Sequence, residues 1–163
     1  MSSSILKSAL LLLVLILSTG YLPAAFGQDD EAEPMQPTLY QRLGGLPAIA
    51  VVVDDLLDAV VPDPLLNENP AIAAARLRVP TPYLKYHVTA MVCQASGGPC
   101  TYIGGGMKES HAHLNITEAE WDRFVTIFKG ILASHSVPEQ EAAELLDIVE
   151  STRGDIVMVP ESS

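Results

Sequence analysis

Apolar residues recur in this chain at every third and fourth position, and alternating apolar–polar stretches are scarce. Within Leu46–Asp63, LPAIAVVVDDLLDAVVPD, one stripe takes in Ile49, Val52, Val53, Leu56, Leu57 and Val60. That spacing puts them on one face of a helix and leaves a sheet without its period of two. The valines are poor helix formers, so packing must hold this helix. Pro62 and Pro64 stop it. Leu65–Val79, with Asn67, Asn69 and Pro70, reads as a loop with room for one turn at Ala71–Leu77. Thr81-Pro82 reads as an N-cap followed by proline at the first helical position. The helix it opens runs to the stop Ser96-Gly97-Gly98-Pro99. TEAE, Thr117–Glu120, is a capping box. It opens a helix with Trp121, Phe124, Val125, Phe128, Ile131 and Leu132 on one side. Pro138 starts the last helix. The expected class is all-α, with no internal repeat.

The first 27 residues have another character. Lys7, the apolar run Ala9–Leu17 and small residues at Ala25 and Gly27 are the parts of a secretory signal peptide. The run is too short to span a bilayer, which takes about 20 residues. An uncleaved anchor is the alternative. Cleavage after Gly27 leaves Gln28–Ser163, with no membrane segment. Residues 28–37 read as an acidic, solvated tether, 38–158 as one domain and 159–163 as a tail. The leader holds one Lys and no acid, so the net charge of −11 becomes −11 − 1 = −12. A chain this acidic repels phosphate backbones, which excludes nucleic acid as a partner.

Cys93 and Cys100 are the only cysteines. In an exported protein, two thiols this close read as a disulfide. Without export, two free buried thiols are the better reading.

The four histidines separate by helical geometry. Met107, His111 and Leu114 fall within about 60° of one another, so His111 lies on an apolar face. His113 is roughly 200° round from His111, so on a regular helix the two cannot share a metal. His87 lies on the stripe Leu84, His87, Val88, Met91, Ala95, with Cys93 about 180° from Leu84. His113 and His135 read as surface residues. From spacing alone, His87 and His111 read as core histidines with satisfied hydrogen bonds. Two neutral imidazoles on apolar faces of different helices would also grip a flat apolar cofactor carrying iron. No carboxylate or thiolate joins them on those faces, which argues against a closed zinc site. Gly104–Gly106 lacks the Lys-Ser/Thr of a phosphate loop and reads as a turn.

LYQRLGG (Leu39–Gly45), GGP (Gly97–Pro99) and MKESHAHLNIT (Met107–Thr117) resemble the glycine motifs and proximal-histidine segment of the group I truncated haemoglobins. The spacing of the three also fits, and the resemblance covers about residues 38–158. It implies a two-over-two helical sandwich around haem b. It implies His111 as the iron ligand and Tyr102, Met107, Ile116 and Trp121 as pocket residues. It gives His113 no role. The resemblance breaks on the distal side. Where relatives carry an oxygen-bonding tyrosine this chain has Leu57, or Leu56 if the register slips; where they carry glutamine it has Val88. The usual phenylalanine wedge is absent from Leu66–Pro70. His87 stands where some members carry a sixth iron ligand; the alternative is a side chain pointing to solvent beside the haem edge.

Three functions follow. The first is a periplasmic or secreted haem protein that binds a gaseous ligand (oxygen, carbon monoxide or nitric oxide) or shuttles electrons with a redox partner protein. The second is a haem enzyme of the nitric oxide dioxygenase or peroxidase type. It would need an electron donor, since the chain has no flavin or nicotinamide domain. The third is a helical binding module without haem.

Overall fold

The structure, a computed structural model, describes residues 36–159. The expected leader, the tether up to Met35 and the tail from Pro160 lie outside the described residues.

The chain enters through α1, Leu39–Arg42, whose first turn is closed by a reciprocal cap between Thr38 and Gln41. Gly44 and Gly45 have φ of 91° and 76°, a left-handed passage that glycine makes without strain. It turns the chain into α2, Gly45–Val60. The segment expected as a loop is instead two short helices, α3 (Pro64–Glu68) and α4 (Pro70–Arg76). Each proline sits at a helix start, where its missing N–H costs nothing. Asp63 accepts from Leu66 N–H at 3.1 Å, and Asn69 accepts from Ala71 N–H at 2.9 Å. α5 spans Thr81–Ala95, with Pro80 rather than Thr81 in the capping position.

α6, Met107–His111, passes into a 3-10 turn, Ala112–Leu114. Strand β1, Ile116–Thr117, then leads into α7, Glu118–Ser134. The expected capping box is formed in both directions by Thr117 and Glu120. α8 spans Glu139–Glu150. It is not the last helix: α9, Arg153–Ile156, and strand β2, Val157–Val159, follow. β2 pairs with β1 in parallel, a small sheet that the reading as all-α did not foresee.

Helix α2 is central because it is apolar on two sides. Leu56 joins Leu39, Phe128, Leu132 and Leu145 toward α7 and α8. Ile49, Val53 and Leu57 face α5 through Leu84, Val88 and Val92. The α2–α5 pair and the α7–α8 pair make a two-over-two helical sandwich. Each fully buried Leu or Phe in it contributes about 1.5–3 kcal/mol.

Cys93 is wholly buried and disulfide-bonded to Cys100, with Cα atoms 5.8 Å apart. The side of α5 opposite the histidine stripe is therefore not open to solvent. It receives the 96–98 turn: Gly98 N–H donates to Cys93 O at 2.8 Å, and the Gly98 Cα lies against Tyr40 and Cys93.

Candidate functional site

His111 ends α6 half-buried, on the same face as Met107 and Leu114, while Lys108, Glu109, Ser110, Ala112 and His113 are exposed. The regular helix ends at His111, so the 200° relation to His113 does not hold in detail; the division into one inward and one outward histidine does. The His111 Nδ1 lies 2.8 Å from Met107 O. A carbonyl only accepts, so Nδ1 carries the proton. Burial pushes the imidazole pKa below its ordinary value, against the pull of that hydrogen bond, and nearby His113 lowers it further. The ring is neutral at pH 7, and its Nε2 presents a lone pair. α6 packs mainly on α9, so the last of the described helices backs this histidine.

His87, on α5, is also half-buried. Its Nδ1 is buried with no hydrogen-bond partner. Three tyrosine rings surround it. Tyr83 is 4.2 Å away between centroids, Tyr86 is 5.2 Å and Tyr102 is 6.0 Å. Tyr102 comes from the segment after the disulfide. Its N–H donates to Gln94 at 2.7 Å and its hydroxyl to Gly105 O at 3.0 Å. The Gly104 Cα lies so close under this ring that a side chain there would collide with it. Tyr83 and Tyr86 were missed from the sequence. Their positions four and one residues before His87 are the signal that could have found them.

The remaining expected site residues are placed as follows. Leu57 and Val88 meet in one apolar cluster between α2 and α5, and Leu56 faces the other way, toward Phe128. Trp121 is buried beside Phe124, and Ile116 is half-buried in β1. An apolar cavity of about 110 Å³ lies between α2, α5, α7 and α8, walled in part by Val53, Val88, Met91 and Phe128. His135 pairs with Asp55 at 2.7 Å and takes no part in the site. Among the described residues, no three His, Cys, Asp or Glu side chains gather to hold a metal ion, and no helix is long and apolar enough to cross a membrane.

The family profile described as Bacterial-like globin matches residues 38–158. A group 1 truncated hemoglobin of Nostoc sp. (strain MUN 8820) is 31% identical over 120 residues, which is 74% of this chain and 97% of the relative. The chain belongs to the group I truncated haemoglobins. The group 1 truncated hemoglobin of Nostoc commune gives the same identity and coverage. Among solved structures, the truncated hemoglobin of Tetrahymena pyriformis, in its Fe(III) form, superposes with a TM-score of 0.65 at 22% identity, covering 76% of this chain and all of that one. The 2/2 hemoglobin of Synechococcus sp. PCC 7002, in the cyanomet state and with covalently attached heme, gives 0.66 at 22% identity, over 74% of this chain and 98% of that one. These two likenesses concern the fold.

Membership in this family carries haem iron as the cofactor and small gaseous molecules as ligands. The residues present fit that group. His111 offers a neutral imidazole lone pair on a half-buried face. His87 leaves a buried ring nitrogen without a protein partner, a defect that costs about 1–3 kcal/mol unless something else meets it. In sequence beside these two histidines of the truncated haemoglobin stand half-buried apolar residues, Leu84 and Val88 on α5 and Met107 on α6.

Proposed function

We propose that this truncated haemoglobin is an exported haem b protein that binds oxygen, carbon monoxide or nitric oxide, or passes single electrons. The observation that carries the reading is the His111–Met107 hydrogen bond. It fixes the ring's tautomer and orientation, as the outer partner of a metal-bound histidine does. His111 is the proximal iron ligand, with Tyr102, Met107, Ile116 and Trp121 in the pocket. When bound, the haem supplies an iron centre for ligands or for a one-electron change.

The distal side sets what that centre holds. Leu57 and Val88 are apolar and offer a bound ligand no hydrogen bond. Such a bond normally contributes on the order of 1–3 kcal/mol. His87 is the polar group left there, and its half-buried imidazole would hold the iron as a second protein ligand beside His111. External ligands would then compete with His87. The disulfide supports an oxidising compartment, periplasmic or secreted.

A visible spectrum of the purified protein is the first test. An intense Soret band is expected, and its absence would return the chain to the haem-free reading. The resting protein should be six-coordinate and low-spin, with carbon monoxide binding that saturates as its concentration rises. His87→Leu should give a five-coordinate spectrum and faster binding. A wild-type protein that is already five-coordinate, with kinetics unchanged in the variant, removes His87 from the iron.

A further inference from the structure

The helix that carries His111 does little to support itself. α6 has five residues, no side chain caps its start, and it passes at once into a 3-10 turn. A single helical turn does not persist in water on its own, and its last carbonyls have no partner inside it. α9 and β2 hold this stretch from the far end of the described chain. Asn69 reaches it from the chain ahead. Its Nδ2 donates to the Leu114 carbonyl at 2.9 Å, across 45 positions of sequence.

The two ends of the Asn69 amide have separate tasks. The oxygen accepts from the N–H groups of Ala71 and Ile72, at 2.9 and 3.4 Å, and so caps α4. Asp or Ser caps a helix about as well. The Leu114 carbonyl needs a donor, and among the usual capping residues only Asn adds an amide N–H₂ to its oxygen. The anchor behind this bond is fixed in turn. Asp63, the cap of α3, pairs with Arg123 of α7 at 2.7 Å, and Asn67 donates to the Asp63 carbonyl at 2.6 Å. Arg76, in the last turn of α4, donates to the Asn67 side chain. α3 and α4 are thus tied to each other and to α7.

We propose that Asn69 is a positioning residue for His111: by holding the Leu114 carbonyl, it fixes the turn that presents the imidazole to iron. That role rests on the haem reading above, since it is the orientation of an iron-bound ring that it would set. The segment leading into α5, the helix of His87, is thereby bonded to the segment leaving α6, the helix of His111. A displacement of α4 reaches the proximal imidazole through this bond.

The test uses haem-loaded full-length protein with Asn69→Asp and Asn69→Ser, which both keep an oxygen for the cap and give up the amide donor. The ferrous carbon monoxide complex is photolysed, and resonance Raman reads the iron–histidine stretching band. Transfer to excess apomyoglobin reads haem loss. Each variant should broaden or shift the band and lose haem about fivefold faster, the ratio that an ordinary hydrogen bond corresponds to, with far-UV helix content unchanged. Band and loss rate equal to wild type in both variants overturn the proposal. So does an effect confined to Asp, which would be one of charge, or faster loss with the band unmoved, which would be one of stability alone. No Soret band in the wild-type protein overturns the haem reading, and this role with it.

Discussion

Tyr40 and Gly98 meet ring against backbone, so closely that a Cβ on Gly98 would lie 2.5 Å from the Tyr40 Cδ2. The same Cβ would sit 2.7 Å from the Cys93 carbonyl oxygen and 2.8 Å from its Sγ. The Cys93 atoms cannot swing aside, because Cys93 is buried and disulfide-bonded. Gly98→Ala should therefore destabilise the fold by about 1–3 kcal/mol, the usual cost of overpacking. Urea unfolding measures it. Gly130→Ala, where nothing lies within 4 Å of the new methyl, is the control and should not destabilise.

His111 and His113 should behave differently when removed. His111→Ala should lose most of the Soret absorbance, or recover it with added imidazole. His113 is exposed, and His113→Ala should keep the wild-type spectrum. Equal spectra from the two variants would contradict the assignment.

Much of this was legible in the sequence because helices announce their buried faces. α2 and α7 follow the apolar stripes, and the Thr117–Glu120 box is formed as read; on α5 the stripe is only half-buried, Ala95 is exposed, and the buried residue is Cys93 on the opposite side. Pro64 and Pro70 misled, since proline is a breaker inside a helix and a starter at its first position; Asp63 and Asn69, the caps, held the distinction. β1 and β2 carry too few residues to show a period, and their pairing joins segments some forty positions apart. At the site, the burial of His111 was readable from its face. Tyr83 and Tyr86 beside His87 were not, because exposed rings leave no mark on an apolar stripe.

Asp63 gives a dependence on pH. It is buried at the start of α3 and pairs with Arg123 at 2.7 Å. The Arg123 guanidinium holds its carboxyl below the usual range; burial opposes this, and the Leu66 N–H adds to it. A depressed folded pKa means the stabilisation is complete above the unfolded value, about 3.9, and is lost as pH falls through the folded one. Asp63→Ala should cost at least the cap's about 1 kcal/mol near neutrality. The gap between variant and wild type should narrow below about pH 4. Urea midpoints across that range, with a gap that stays constant, would count against it.

The cysteines test compartment and fold together. Mass spectrometry of the non-reduced protein from its own compartment should show two hydrogens fewer than the free dithiol, and an N-terminus near Gln28. Cys100→Ser should lower stability by about 2.5 kcal/mol on the chain-entropy account. Free thiols in the recovered protein would sink both the bridge and the export reading.

The pairing of β1 with β2, and of α6 with α9, places the last described elements behind the segment that carries His111. Synthesis runs from the N-terminus at about 5–20 residues per second, so α9 and β2 emerge after every other described element. While the chain is still emerging, α2 and α5 can already associate, but His111 lacks the α9 that backs it. A haem held through His111 would then wait for α9 and β2 to be made.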